Sequence, residues 1–211
     1  MRNYKFRLYP NLEQEYKLQN NLNVCKWVYN KFVEQAQKSF LSRNDMNYIL
    51  TELKQSESWL YNYHSKMLQM VSTQIEGAEK SLIERSKKGH KTGQLRFIRY
   101  NEFRTFTYSQ SGFKLNNNKL FLSKIGDIRI KKHRDTSDNI KQVIVTKSKS
   151  GKWHACITCE LVKMNPPKID FLKSVGIDVG IKSFAYDSDK HSISNPLNLK
   201  KMLKPLVRAQ R

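Results

Sequence analysis

The chain has 211 residues with 39 Lys and Arg against 18 Asp and Glu, and its formal charge of +21 fits a polyanionic partner, because each neutralised phosphate releases counterions whatever the base sequence. No apolar run approaches the roughly 18–20 residues of a spanning helix, and residues 1–5 lack the apolar centre of a secretory signal. Three cysteines (Cys25, Cys156, Cys159) make an odd set rather than a disulfide framework, so a cytoplasmic protein with no membrane partner is expected.

In chain order, residues 3–9 alternate, with Tyr4, Phe6 and Leu8 on one side and Lys5, Arg7 and Tyr9 on the other, predicting a strand ended by Pro10. Asn11 and Gln14 have the spacing of a capping box. Leu18, Leu22, Cys25, Tyr29, Phe32, Ala36 and Phe40 then recur at helical spacings, which predicts one long helix to about residue 42. Asn44-Asp45 is placed to cap a shorter helix carrying Met46, Ile49, Leu50 and Leu53. A third helix follows the Trp59–Tyr63 turn, with Leu68, Val71, Ile75, Ala78 and Leu82 as its apolar stripe and a stop at Lys87-Lys88-Gly89.

After Gly93 the period changes from helical to alternating. Strands are expected at about 95–100, 103–109, 119–123, 127–132, 140–148 and 152–162, with turns at Asn116-Asn117-Asn118 and Ser148-Lys149-Ser150-Gly151. Such a set suggests a small antiparallel barrel that residues 3–9 could join, making the helices an insertion. Basic and aromatic residues interleave at 4–9, 96–100 and 103–106, so Lys5, Arg7, Arg96, Arg99 and Arg104 are candidates for contact with a sugar-phosphate backbone. An amphipathic strand with a solvated basic side accounts for any one segment equally well. The prolines of Asn165-Pro166-Pro167-Lys168 mark a linker over 164–173. Strands around Asp178, at 182–187 and near 191–194, a turn at Asp187–Lys190 and a basic helix from about Leu197 complete the chain.

The chemistry concentrates at Gly176-Ile177-Asp178-Val179-Gly180. Asp is a poor strand residue, and an unpaired buried charge is costly. A carboxylate in this setting reads either as a ligand projecting toward a metal ion or as a strand-edge Asp that caps a turn. Beyond it there is no Glu, and only Asp187 and Asp189 are acidic. Cys156-Ile157-Thr158-Cys159 has the C-x-x-C spacing, but residues i and i+3 of one strand face opposite ways and no second pair exists, so no zinc site is expected. The five histidines are scattered, and no phosphate-binding glycine loop is present.

The chain resembles the TnpB/OrfB proteins of insertion sequences, compact RNA-guided nucleases related to type V CRISPR effectors. The resemblance is carried by Tyr4 to Pro10, Trp27-Val28-Tyr29-Asn30, Met67-Leu68-Gln69, Leu95-Arg96-Phe97, Phe106-Thr107-Tyr108-Ser109, Leu120 to Gly126, Gly151-Lys152-Trp153, and Gly176 through Asn195-Pro196, in family order. It implies an α+β protein: an antiparallel wedge-type β-barrel (1–10 and 94–163), an inserted helical recognition bundle (11–93), the 164–173 linker, and an incomplete RNase H-like (RuvC) sheet with a C-terminal helix (174–211). It further implies that Asp178 is the first Mg²⁺-binding catalytic carboxylate. Tyr48, Gln69 and Thr107 would then read the short motif flanking a double-stranded DNA target, with a guide RNA as the other partner. Family members continue with a catalytic Glu, a zinc-binding Cys-x-x-Cys element and a last catalytic Asp, none of which is in these residues. The expectation is a truncated protein that binds nucleic acid, is inactive alone, and holds Mg²⁺ only if a missing C-terminal half completes the site. The rival expectations are a non-catalytic DNA- or RNA-binding module or regulatory remnant, and a decayed element with an unstable product.

Overall fold

A computed structural model describes residues 1–37, 41–136, 139–160 and 174–210. The chain divides into two units, Met1–Lys163 and Met164–Arg211, and each is described by itself. The expected linker at 164–173 lies outside the described residues. Among the described residues no helix is long and apolar enough to cross a membrane.

The first unit begins with β1 (Arg2–Tyr9), whose Tyr4, Phe6 and Leu8 are buried as the alternation requires. Asn11 then caps α1 (Leu12–Ala36): its Oδ1 accepts the Gln14 N–H at 2.8 Å, and Gln14 Oε1 accepts the Asn11 N–H at 3.1 Å. Leu18, Leu22, Cys25, Val28 and Phe32 form the buried stripe of α1. The helix stops at Ala36, short of the expected 42, and Phe40 lies outside the described residues. Ser42 is already extended there, because it caps α2 (Arg43–Ser56) by accepting the Asp45 N–H at 3.3 Å. The cap therefore lies two residues before the expected Asn44, with Asp45 serving as its reciprocal partner and its carboxyl held below the usual range by Ser42. A 3₁₀ turn over Ser58–Asn62 leads into α3 (Ser65–Lys87), which buries Met67, Leu68, Val71 and Ile75.

Residues 95–100, expected as a strand, form none. Asn30 of α1 takes the place of a neighbouring strand. Its Oδ1 accepts the Ile98 N–H at 2.9 Å and its Nδ2 donates to the Ile98 carbonyl at 3.0 Å. The Ile98 backbone is thus satisfied by one side chain, and Leu95 and Ile98 pack on the core without a ladder.

Beyond this stretch come β2 (Thr105–Ser109), β3 (Phe113–Asn116), β4 (Lys119–Leu122), β5 (Gly126–Lys131), β6 (Ile140–Lys147) and β7 (Trp153–Cys159). β3 falls outside the expected strands, although its four residues Phe113-Lys114-Leu115-Asn116 alternate and their burial alternates with them. All seven strands form one antiparallel sheet in the order β2-β6-β7-β1-β5-β4-β3. Its two edge strands, β2 and β3, are joined by residues 110–112 alone, so the sheet curls on itself. Tyr108 Oη of β2 donates across to the Ser123 carbonyl at 2.9 Å, and burial pushes that phenol's pKa up. Phe6, Leu8, Phe106, Leu120, Ile128, Val145, Ala155 and Ile157 share one core with the helices' Leu18, Phe32, Leu68 and Val71.

The second unit has β8 (Ile177–Asp178), β9 (Ser183–Asp187) and β10 (Ser192–Ser194), antiparallel in the order β10-β9-β8, followed by α4 (Asn198–Ala209). Leu199, Met202, Leu203, Leu206 and Val207 recur on one stripe of α4, yet all are exposed, and none of this unit's described residues is buried.

Candidate nucleic-acid interface

Strand register assembles the basic side chains of the first unit into rows. On the face of β1 opposite Phe6 and Leu8, Arg7 stands directly between His154 of β7 and Lys131 of β5. The next row places Tyr9 beside Arg129 of β5 and Arg129 beside Lys119 of β4, while Lys5 stands beside Cys156. Arg7 is fixed by donating to the Trp153 carbonyl at 3.2 Å, and its guanidinium lies 5.5 Å from the Tyr9 ring centre. A recess of about 400 Å³ opens beside Tyr9, Asn118, Arg129, Lys131 and Lys132. Like charges directly opposite on a sheet are destabilising. A row that retains them is suited to a polyanion that supplies the missing charge.

His154 reports the same field. Burial, then the Lys5 and Arg7 charges, pull its pKa below the ordinary imidazole value, which keeps it neutral near pH 7. Exposed rings add faces on which bases can stack: Lys54 lies 5.8 Å from Tyr61 and Lys26 lies 5.4 Å from Tyr100.

Of the residues expected to contact nucleic acid, Lys5 and Arg7 fall in these rows. Arg96 and Arg99 are exposed on the irregular stretch pinned by Asn30, and the Arg99 N–H donates to Glu102. Arg104 is half-buried just before β2. Tyr48 is 73% exposed on α2 and Gln69 lies on α3; a 3.3 Å hydrogen bond from Ser72 to Asn47 ties those helices together nearby. Thr107 is only 6% exposed in β2. Arg129, Lys131, Lys119 and His154 were not singled out by sequence. The alternation Asp127-Ile128-Arg129-Ile130-Lys131 carries their signal, but their placement beside Arg7 depends on register.

Cys156 is half-exposed and Cys159 fully buried, on opposite faces of β7. In the second unit, Asp178 is exposed at the end of β8, opposite Tyr186, and Ile177 pairs with Asp187. Asp187 is committed to its own turn. Its Oδ1 accepts the backbone N–H groups of Asp189 and His191 at 3.0 and 2.8 Å, and its Oδ2 lies 3.0 Å from His191 Nδ1. Among the described residues no group of three or more His, Cys, Asp or Glu is arranged to hold a metal ion. Phosphodiester cleavage by paired divalent ions needs several carboxylates, and the described residues do not fit such a pair.

A family model described as a helix-turn-helix domain (HTH_OrfB_IS605) matches residues 1–44, which here are β1, α1 and the start of α2. The chain is 28% identical over 219 positions to a candidate RNA-guided DNA endonuclease, InsQ, of Escherichia coli (strain K12), covering 99% of this chain and 52% of that protein. It is 26% identical over 225 positions to a candidate RNA-guided DNA endonuclease of Streptomyces pristinaespiralis, covering 100% of this chain and 54% of that one. Among solved structures, a CRISPR-Cas12f ternary complex aligns with a TM-score of 0.47 at 12% identity, over 91% of this chain and 50% of that chain. The chain spans about half the length of the curated relatives it matches.

Proposed function

This chain belongs to the TnpB/OrfB family, and from that premise we propose that its first unit binds the nucleic acids of an RNA-guided DNA endonuclease. In this reading the curled sheet is the family's wedge-type barrel, α1 to α3 are its recognition insertion, and the partners are a guide RNA and a double-stranded DNA target. Residues 174–210 correspond to the opening strands of a RuvC-like nuclease domain, with Asp178 as one carboxylate of its Mg²⁺ site. No cleavage step is assigned to the residues described, because the remaining ligands of such a site are not among them.

The supporting observation is the pair of cation–cation neighbours Arg7–Lys131 and Arg129–Lys119, which oppose one another across β1, β5 and β4 with the neutral His154 beside Arg7. The test is anisotropy of labelled single- and double-stranded oligonucleotides across a salt series. Affinity falls steeply with salt, and the slope shrinks by about 0.7 (single strand) to 0.9 (duplex) for each phosphate contact removed by Arg7→Gln or Arg129→Gln. A flat salt response of the unaltered chain refutes the reading.

A second reading, binding without cleavage by this chain, is favoured by the exposure of Asp178 and the commitment of Asp187 to its turn. Incubation with Mg²⁺, guide RNA and target DNA separates the two. Cleavage abolished by Asp178→Ala selects the nuclease; retained binding with no cleavage selects the module.

A further inference from the structure

A second cationic feature lies where the β6–β7 turn meets α1. The turn is closed by Ser148, whose N–H donates to the Lys152 carbonyl at 2.8 Å while its hydroxyl accepts the Lys152 N–H at 3.0 Å. Lys147, the last residue of β6, reaches α1 and donates from Nζ to Gln19 Oε1 at 2.8 Å. Its own N–H donates to the Arg104 carbonyl at 2.9 Å, which draws the 101–104 stretch alongside. A recess of about 220 Å³ is left between these segments. Arg104, Lys147 and Lys149 line it, together with the neutral side chains of Asn101 and Ser148, over a floor of Leu22 and Phe103.

Among the described residues no carboxylate lines the recess. Lys147 is held by an uncharged amide and by the Trp153 ring at 5.2 Å, neither of which cancels its charge. Among the described residues none of the three cations forms an ion pair. Two nearby acids accept neutral N–H groups and form no ion pair with these cations: Glu15 accepts the Trp153 indole N–H at 3.1 Å, and Glu102 accepts the Arg99 N–H at 3.1 Å. Arg104 and Lys147 are half-buried, so their repulsion is screened less than that of fully exposed charges.

We propose that this recess binds one backbone phosphate of a nucleic-acid strand, anchoring it at the seam between α1 and the sheet. The guanidinium supplies a forked donor, the two ammonium groups supply point charge, and the Asn101 amide adds a neutral donor, the Ser148 hydroxyl being engaged with Ser150 at 2.9 Å and with the Lys152 N–H. The apolar floor raises the strength of each of these contacts. The volume admits a phosphate with part of its sugar, and a contact to phosphate alone carries no sequence information, so the anchor is indifferent to sequence. The inference rests on the reading of this chain as a nucleic-acid binder and gives that reading a second contact site.

The experiment measures salt-dependent anisotropy of a single-stranded oligonucleotide with the full chain, and calorimetry with inorganic phosphate as a separate arm. Lys149→Gln, on an exposed turn, and the Arg104→Gln/Lys147→Gln double variant are compared with Lys91→Gln, which removes the same charge outside the recess; circular dichroism melting checks each fold. The expected result is a salt slope smaller by about 0.7, one single-strand phosphate contact, in the recess variants, equally for different base sequences, and unchanged in Lys91→Gln. A full slope in the recess variants, with the Arg7 variant still showing its loss, overturns the anchor and leaves the proposed function standing. Binding of inorganic phosphate with an unchanged oligonucleotide slope also overturns it, identifying a free-phosphate site. An unaltered chain that shows no salt-dependent binding overturns both.

Discussion

The two units of this chain carry equally regular sequence patterns and reach different ends. In the first, the alternation of β1 and the stripes of α1 and α3 close on one another, so that Phe6, Leu18, Phe32, Leu68 and Ile157 lose nearly all contact with solvent. In the second, the stripe of α4 is as well formed, yet Leu199 and Met202 stay exposed and Ile181 is 91% exposed. Periodicity determines which face of an element is apolar; only a neighbouring surface makes that face a core. Exposed apolar surface on this scale marks a segment whose stability is not supplied from within.

The sharpest way to break this comparison is to truncate one apolar residue in each unit. Phe6→Ala removes a ring from the sheet interior and is expected to cost about 3–5 kcal/mol, and Ile181→Ala within about 0.5 kcal/mol, in urea unfolding followed by circular dichroism. Comparable losses would show that the second unit is packed after all. Hydrogen exchange gives the same contrast residue by residue. Amides of β1, β6 and β7 should exchange only on global opening, while those of β8 to β10 exchange by local opening at far lower free energy.

A smaller effect, of about 1–3 kcal/mol, is expected from Asn30→Ala, which strips both hydrogen bonds from Ile98. Its readout is faster exchange at Ile98, with β1 unaffected. Gly112→Ala tests another single contact, since a Cβ there would collide with the His64 ring and the backbone φ is +82°. The expected loss is above about 1 kcal/mol.

Asn30 also shows where sequence legibility ended. The alternation over residues 95–100 suggests a strand, but a strand needs a partner ladder, and at Ile98 a helix side chain from 68 residues away takes that role instead. The features that could be read were local ones: the Asn11–Gln14 capping box, the Tyr4-Phe6-Leu8 face, the Ser148–Gly151 turn. The candidate interface was half legible for the same reason. Lys5 and Arg7 alternate visibly in one strand, whereas their neighbours Lys131 and His154 come from strands more than 120 residues on in the chain, brought together by register. Thr107 was placed by resemblance, and nothing in its local pattern announced that it would be buried. Asp178 was conspicuous because it is an acid in an apolar strand, but its sequence could not reveal that β8 pairs over only two residues.

The smallest effect concerns the charge state of that interface. Because His154 has a folded-state pKa below its unfolded value, the unfolded chain binds more protons below pH 6.5, and this residue's contribution to stability is lost as pH falls through that value. A bound phosphate reverses the local field: it offsets Lys5 and Arg7, the charges that, after burial, hold the imidazole neutral. Binding in the row should therefore take up a proton at His154, so affinity for an oligonucleotide rises modestly from pH 7.5 to 6.0 while the free protein becomes less stable. His154→Gln should flatten the affinity profile and leave the first unit folded. A profile unchanged by that substitution would place the phosphates elsewhere on the sheet, away from Arg7.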